Sequence, residues 1–416
     1  MNTDRTKVSR RLVVALAAFG LVVAACGSDD DSGSESTDAA TTETTPDATA
    51  APDDGDSGGT SSGRDSEWYD EATFETELAA RSATPDGPDG QPWLQAIDPT
   101  MVDTSEFATE GPYDLCFSNT DISNPWRVNG FTTMQEEVAL HDDIASFTVV
   151  DAGGSEEKQI ADIEELVGSG NCDLLIVSPA TTAALTPAIE AACNDLPVIV
   201  FDRGVNTDCP VTFIKPIGGY AFGADAAEFL IDNVDEGANV VALRILPGVD
   251  VLETRYVAGQ ILMEEAGLNI VATEFTGGDP AMVKSILQDL IDRGEQIDAV
   301  WMDAGATAVA AIEVFEENGL EVPPITGEDQ QDFLQKWSDD GLTAMAPTYP
   351  TYQWRTPILA ALSVLNGEEI PGGNWMLPQP KITADNLADY LQADMPPLFY
   401  ALCGCEDMAN FPQAWQ

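Results

Sequence analysis

The 416-residue sequence has little positive charge. It holds 17 Lys and Arg residues against 72 Asp and Glu residues, which gives a formal net charge of −55 at pH 7. A surface of this charge repels the phosphates of nucleic acids and anionic lipid headgroups. We therefore expect no nucleic-acid partner. We interpret the acidity as a means of staying soluble in a salty medium; a cation-binding surface is the alternative.

The sequence also has a single histidine, His141, which limits the catalytic arrangements open to it. We predict His141 between the first helix and the second strand, away from the strand C-termini, where it cannot complete a Ser-His-Asp or Cys-His arrangement. No phosphate-binding loop or dinucleotide fingerprint follows a strand. Paired carboxylates such as Asp202 and Asp329 leave a glycosidase as an alternative. Neighbouring arginines should keep both ionised, however, so we predict no enzyme, no cofactor and no metal site.

A long hydrophobic run is missing as well, since a membrane-spanning helix needs ~20 apolar residues. The run from Leu12 to Ala25 has 14 residues, follows a basic segment and ends in Val-Ala-Ala-Cys26. This pattern resembles a bacterial lipobox, which implies a signal peptide over residues 1–25 and a lipid on Cys26. An ordinary secretory peptide with an incidental cysteine is the alternative. The resemblance predicts an extracytoplasmic protein anchored to the cell membrane.

The segment after Cys26 lacks the residues that build a core. Residues 28–65 contain no aromatic side chain and consist almost entirely of Ser, Asp, Thr, Gly, Ala, Glu and Pro. We predict a disordered acidic tether over residues 26–65. Aromatic residues then return, so we expect residues 66–110 to form an N-terminal arm on the body. A C-terminal tail over residues 386–416 should pack in the same way.

Six cysteines remain after Cys26, and an even number in an exported chain favours disulfides. Cys172 precedes a predicted strand, Cys193 ends the next helix, and Cys209 precedes a later strand. These three positions should lie at one end of the sheet, so we expect a bond between Cys193 and either neighbour. The pairing of all six, including Cys116, Cys403 and Cys405, stays open. Cys403-Gly-Cys405 is too short for a metal-binding Cys-x-x-Cys pair.

From Gly111 onward, short β-branched runs alternate with amphipathic segments. Such alternation predicts parallel sheets covered on both faces by helices. Ten strand–helix units are too many for one sheet of common size, so we predict an α/β fold with two doubly wound lobes. The predicted strands are Leu115–Ser118, Ser146–Val150, Leu174–Ser178, Val198–Phe201, Val211–Ile214, Val240–Ile245, Ile270–Thr273, Ala299–Met302, Pro324–Thr326 and Thr343–Ala346.

The residues that follow these strands are candidates for a binding site, because ligands of open α/β sheets sit at the strand C-termini. Arg127, Arg203 and Arg255 fall there in a chain with few cations, and acidic residues lie between them. Guanidinium forks and carboxylates together bind hydroxyl-rich molecules, and the flat face of Trp126 can cover a sugar ring. The candidate ligand-binding residues are Thr120, Asn124, Trp126, Arg127, Ser178, Asp202, Arg203, Arg255, Asp303, Asp329 and Thr348. Intramolecular salt bridges and an ordinary buried Trp are the alternative.

The order of predicted strands, helices and candidate residues over about residues 111–382 resembles that of the sugar-binding proteins of bacterial ABC importers. The resemblance is to the ribose- and galactofuranose-binding type of periplasmic binding protein. Asn124-Pro-Trp-Arg127 stands where the ribose type has Asn-Pro and two Phe. The Trp-Arg version is similar to the galactofuranose type, whose Arg touches the sugar. Pro197–Arg203 resembles a strand ending in the ligand-binding Asp-Arg pair. Arg255, Gly327-Glu-Asp329 and Thr348 match further ligand positions. Gly277-Gly278 and Ala304 depart from the family pattern.

The resemblance implies a periplasmic-binding-protein-like fold with a three-strand hinge near Pro216, Tyr349 and Pro378. Lobe 1 is expected over residues 111–216 and 349–378, and lobe 2 over residues 217–348 and 379–385. A monosaccharide, in furanose form on one interpretation, should bind in the cleft of a monomer and pass to an ABC permease. A sugar-sensing protein that feeds a receptor or sensor kinase is the alternative.

Overall fold

The computed structural model describes residues 62–305 and 307–416. The predicted signal peptide, Cys26 and the predicted tether up to residue 61 lie outside the described residues. The prediction of disorder up to residue 65 is wrong at its end, because Gly63–Asp65 form a short 3₁₀-helix. Arg64 anchors this turn through an ion pair of 2.8 Å with Glu265.

The first of two large sheets has six strands: β2 (Tyr113–Asn119), β3 (Ile144–Asp151), β4 (Leu174–Ser178), β5 (Val198–Phe201), β6 (Thr212–Pro216) and β13 (Gly373–Leu377). The sheet is entirely parallel, and its strands lie in the order β13-β6-β5-β4-β2-β3. Its helices are α2 (Pro125–Val138), α3 (Glu156–Ser169), α4 (Thr182–Ala192) and α10 (Thr356–Leu365). We call this unit lobe 1.

The second sheet also has six strands: β7 (Asn239–Arg244), β8 (Asn269–Phe275), β9 (Ala299–Met302), β10 (Ile325–Thr326), β11 (Ala344–Pro347) and β14 (Lys381–Ile382). They lie in the order β14-β11-β10-β9-β7-β8, and only the edge strand β14 is antiparallel to its neighbour. The helices are α5 (Gly219–Asn233), α6 (Asp250–Glu265), α7 (Pro280–Asp292), α8 (Ala308–Glu317) and α9 (Gln331–Asp340). We call this unit lobe 2.

The chain passes between the two lobes three times. It crosses after β6, after β11 and after β13. In each sheet the first strand along the chain, β2 or β7, lies inside the sheet with its successors on both sides. This reversal of strand order creates a crevice at the strand C-termini, which is the usual ligand position in such sheets.

The ten predicted strands are all present, with ends that shift by at most two residues. Local signals explain the helix boundaries: Ser155 caps α3 by accepting the Lys158 N–H at 3.2 Å, and Gly170 ends it at φ 65°. Helix α6 begins at Asp250, five residues ahead of Arg255. Acidic residues in its first turn favour the earlier start.

Two segments outside the sheets cover the body. In the N-terminal arm, α1 (Glu71–Ala80) packs on α5, and β1 (Met101–Val102) pairs with β12 (Ile370–Pro371). Arg81 joins α1 to α5 through Asp225 at 2.9 Å. The tail holds two short 3₁₀-helices, Leu387–Asp389 and Gln413–Trp415. The arm therefore packs on lobe 2, and the tail helix Gln413–Trp415 contacts α2 of lobe 1.

Three disulfides link the six cysteines of the body: Cys116–Cys172, Cys193–Cys209 and Cys403–Cys405. The second is one of the two pairings expected for Cys193. In lobe 1 the core includes Phe117, Phe201 and Trp354, whose rings lie 5.0 to 6.0 Å apart. Within residues 62–305 and 307–416, no helix combines the length and apolar character that a membrane crossing requires.

Candidate functional site

A cavity of about 290 Å³ lies between the C-terminal ends of the two sheets. Lobe 1 contributes the start of α2 and the residues after β5. Lobe 2 contributes the loop after β7, the first turns of α6 and the residues after β9 and β10. The lobes also meet directly beside this cavity, where the Gly204 N–H donates to Asp250 Oδ2 at 2.8 Å. The structure thus holds the cavity between two apposed lobes.

The start of α2 supplies one wall. Asn124 caps the helix by accepting the Arg127 N–H at 2.9 Å, and Pro125 occupies the first helical position. This geometry directs Trp126 toward the hinge, where its Nε1–H donates to the Tyr349 carbonyl at 2.7 Å. Trp126 is only partly buried and lines the cavity.

Arg127 turns inward and is almost fully buried. Its guanidinium donates to Asn119 at 3.2 Å, to Ser178 at 3.1 Å and to Asp202 Oδ2 at 2.5 Å. These three partners follow or end β2, β4 and β5, so the side chain joins neighbouring strands. Its edge still lines the cavity. Arg127 therefore forms a buried salt bridge and also lines the cavity. The interpretation as a salt-bridge residue and the interpretation as a cavity residue do not exclude each other.

Asp202 holds a backbone conformation that few residues adopt, with φ 69°. Its Oδ2 accepts from Arg127 and from the Ser178 hydroxyl at 3.2 Å. The neighbouring Arg203 donates to the Ala180 carbonyl at 2.6 Å. Burial and the nearby Arg127 charge lower the pKa of Arg203 to about 10, so it remains a cation at neutral pH.

Lobe 2 presents a cation surrounded by buried carboxyls. The Arg255 guanidinium lies 4.0 Å from the Phe222 ring and 4.8 Å from the Tyr349 ring. It donates to the Asp303 carbonyl and lies 3.4 Å from Glu328 Oε1. Burial raises the pKa of Asp303 to about 7, and burial also raises the pKa of Glu328.

Two buried polar atoms near Arg255 have no hydrogen-bond partner among the described residues, namely Arg255 Nε and Asp303 Oδ1. Leaving a buried polar group unpaired costs free energy, and of these two residues Arg255 lines the cavity.

Six of the eleven predicted site residues line the cavity: Asn124, Trp126, Arg127, Asp202, Arg203 and Arg255. The other five do not. Ser178 supports Arg127 and Asp202 from behind, and Thr120 is buried with its backbone bonded to β4. Asp303 accepts the Ile245 N–H at 3.1 Å, and Thr348 donates to the Pro380 carbonyl at the hinge.

Asp329 is the clearest departure from the predicted site. Its Oδ2 accepts the Leu402 N–H at 2.7 Å, so its carboxyl binds the C-terminal tail and does not line the cavity. The expectation that arginines keep it ionised is wrong, because burial raises the pKa of Asp329 to about 7. The neighbouring Glu328 lines the cavity in its place.

Four cavity-lining residues illustrate what sequence reasoning missed. Glu328 is the neighbour of the predicted Asp329, and Tyr349 is the neighbour of the predicted Thr348. Successive side chains of an extended segment point to opposite sides, so the same reasoning could have selected either member of each pair. Gly277 lies in the cavity wall at φ 63°, where the backbone itself faces the ligand space. Tyr400 belongs to the tail, and no signal in the sequence connects it to the strand C-termini.

The arrangement presents groups that can bind a polar molecule. The cavity presents guanidinium groups, carboxyls and aromatic faces, while His141 lies at the far end of α2, bonded to Glu137 at 2.9 Å. Among the described residues, one group of three potential metal ligands lies within reach of a single ion: Cys403, Cys405 and Glu406. Its two sulfurs are joined in a disulfide, so no thiolate is available there.

Two parallel-sheet lobes, a three-crossing hinge and a polar cavity between the strand C-termini define a two-lobed solute-binding protein. The periplasmic binding protein domain family matches residues 115–369, more than half of the chain, and the protein belongs to this family. The predicted fold class is confirmed.

Among curated relatives, the ribose import binding protein of Bacillus subtilis (strain 168) is 23% identical over 273 residues, which cover 65% of this chain and 88% of the relative. An ABC transporter solute-binding protein of Bacillus halodurans C-125, solved with bound myo-inositol, is similar in structure with a TM-score of 0.62 and 21% identity. That match covers 68% of this chain and 98% of the other. The fructose-binding periplasmic domain of a hybrid two-component system gives a TM-score of 0.60 at 19% identity, over 67% of this chain and 92% of the other.

Proposed function

We propose that this protein is an extracytoplasmic solute-binding lipoprotein that captures a monosaccharide in the interlobe cavity and delivers it to an ABC permease. The observation that carries the proposal is the set of charged groups that both lobes direct at one cavity. Lobe 1 supplies Asp202 and Arg203, and lobe 2 supplies Arg255 and Glu328. A ligand that contacts both lobes stabilises the closed form over the open form.

The lining favours a neutral polyhydroxyl ligand. Carboxylates accept hydrogen bonds from hydroxyls and guanidinium groups donate to them, so alternating groups of both kinds can satisfy a sugar around its edge. Trp126 and Tyr349, whose ring centroids lie 5.8 Å apart, supply apolar area for the C–H face of the ring. The ribose and xylose named for curated relatives belong to this chemical class.

The volume of the cavity limits the size of the ligand. At about 290 Å³ it lies at the small end of ligand pockets, which typically span ~300–1,000 Å³. We therefore propose a single sugar ring, in pyranose or furanose form, as the occupant in the described conformation.

A thermal-shift screen followed by calorimetry tests the proposal. The panel contains D-ribose, D-xylose, L-arabinose, D-galactose, D-fructose and myo-inositol. A sugar at a hundred times its Kd should stabilise the protein by about 2.7 kcal/mol. If no member of the panel raises the melting temperature or gives a binding heat, the proposed function is refuted.

Two variants connect the binding to this cavity. Asp202→Asn keeps a residue that tolerates positive φ but removes the carboxylate, and Arg203→Ala removes a cation. Each should weaken sugar binding by ~10- to 100-fold, the value of a hydrogen bond to a charged group. Arg293→Ala, which removes an arginine whose side chain is 57% exposed, is the matched control and should bind like the wild type.

One specific observation favours an alternative to delivery to a permease. The fructose-binding neighbour belongs to a two-component system, so a sensing role is the second candidate. A deletion strain separates the two functions. Loss of uptake of the labelled sugar indicates import. Loss of the transcriptional response with normal uptake indicates sensing.

The membrane anchor rests on the lipobox-like sequence before Cys26. We propose that the signal peptide is cleaved before Cys26 and that this cysteine carries the lipid. Metabolic labelling with a fatty-acid analogue should mark the wild type but not Cys26→Ser, and the variant should leave the membrane fraction. Equal labelling of the two proteins would refute the anchor.

A further inference from the structure

The C-terminal tail, residues 386–416, is joined to lobe 2 at the edge of the cavity. Gln330 and Tyr400 form an antiparallel β-bridge. The Gln331 N–H donates to the Phe399 carbonyl at 2.9 Å, and the Ala401 N–H donates to the Asp329 carbonyl at 2.8 Å. With the Leu402 contact to the Asp329 carboxyl, these bonds hold the tail beside the residues that follow β10.

The same tail is also joined to lobe 1. Asn129 on α2 donates to the Leu398 carbonyl at 3.0 Å, and the Tyr352 N–H donates to the Leu402 carbonyl at 3.0 Å. Further along, Trp415 Nε1–H donates to the Thr133 hydroxyl at 3.2 Å. The tail therefore spans the cleft, and the residues at its crossing are fixed from both sides.

Tyr400 is the tail residue that reaches the cavity. It is 1% exposed, yet it is one of the residues that line the cavity. Its hydroxyl donates to Glu328 Oε2 at 3.3 Å, and the same oxygen accepts the Gly305 N–H at 3.1 Å. Burial raises the pKa of Tyr400 well above its usual value, so the phenol stays neutral and keeps its proton.

We propose that the tail completes the binding site and that Tyr400 is a specificity-determining residue, whose phenol oxygen accepts a hydrogen bond from one ligand hydroxyl while its proton is held by Glu328. This inference rests on the proposed function and names a residue of the same site. A phenol whose proton is donated to a carboxyl keeps a lone pair free on its oxygen. Toward the ligand, such a phenol can therefore only accept a hydrogen bond. Tyr400 selects a ligand that presents a hydroxyl donor at that position.

The test uses the full chain with Tyr400→Phe, which removes the hydroxyl and keeps the ring. Tyr390→Phe is the matched control, since it alters a tail tyrosine that does not line the cavity. Binding of the sugar found in the screen, and of each of its single-deoxy analogues, is measured by calorimetry. We expect Tyr400→Phe to weaken the parent sugar by roughly 3- to 10-fold, as for a neutral hydrogen bond. Tyr390→Phe should bind like the wild type.

The deoxy series distinguishes recognition from a structural effect. One deoxy analogue, the one that lacks the recognised hydroxyl, should bind the wild type and Tyr400→Phe with equal affinity, and the others should keep the difference. If Tyr400→Phe binds every analogue like the wild type, the inference is overturned. An equal loss for all analogues overturns it too, because Tyr400 then only positions the tail. A wild type that binds no sugar overturns both this inference and the proposed function.

Discussion

The buried carboxyl of Asp329 should make the stability of the protein fall between about pH 5 and about pH 8, and Asp329→Asn should remove this component. Asp329 is fully buried between β10 and the tail, and its Oδ1 has no hydrogen-bond partner among the described residues. Asn is a close mimic of the protonated acid, since it keeps an acceptor for the Leu402 N–H and carries no charge.

The direction follows from proton binding. Burial raises the folded-state pKa from 3.8 to about 7. Between these values the folded protein holds a proton that the unfolded chain has released, so the free energy of unfolding decreases as the pH rises and levels off above the folded pKa. A pKa shift of this size lowers the free energy of unfolding by ~4 kcal/mol in total, and about 2–3 kcal/mol of this decrease occurs between pH 5 and pH 8.

The assay is a pair of melting curves, without ligand, for the wild type and Asp329→Asn at each pH. For a folded body of about 350 residues, this decrease in unfolding free energy lowers the melting temperature by ~3–4 °C. The melting temperature of Asp329→Asn minus that of the wild type should therefore increase by this amount from the lower to the higher pH. Asp235→Asn, at an exposed position, removes the same charge and should show a constant difference. A constant difference for Asp329→Asn would show that burial does not control this carboxyl.

Two further predictions concern packing and covalent links. Gly223→Ala on α5 would place a Cβ against the backbone oxygen of Arg255, which cannot move aside, so we expect a loss of about 1–3 kcal/mol. Gly168→Ala on α3 meets open space and should be neutral or stabilising; equal melting temperatures for the two variants would contradict this. Replacing Cys193 and Cys209 by Ser should lower the unfolding free energy by ~3 kcal/mol, as for a loop of similar length. Unchanged denaturant unfolding would refute that value.

Much of the fold was predictable because its signals are local. Apolar runs such as Leu174–Ser178 predict buried strands without reference to any other segment, and the strand appears with those ends. Caps such as Ser155 and Asn124 act within one helical turn, so the helix starts after them also follow from the sequence. Strict alternation then implies a parallel sheet whose C-terminal edge carries the site.

The sequence by itself therefore determined the two-lobed α/β class and the edge at which Trp126, Asp202 and Arg203 meet. Only the tertiary structure decided which neighbours face the cavity, because a one-residue difference after a strand turns a side chain to the other side. In the folded protein Glu328 lines the cavity, whereas the Asp329 carboxyl accepts a hydrogen bond from the C-terminal tail. The contribution of Tyr400 depends on contacts between segments more than seventy residues apart, for which no local pattern exists.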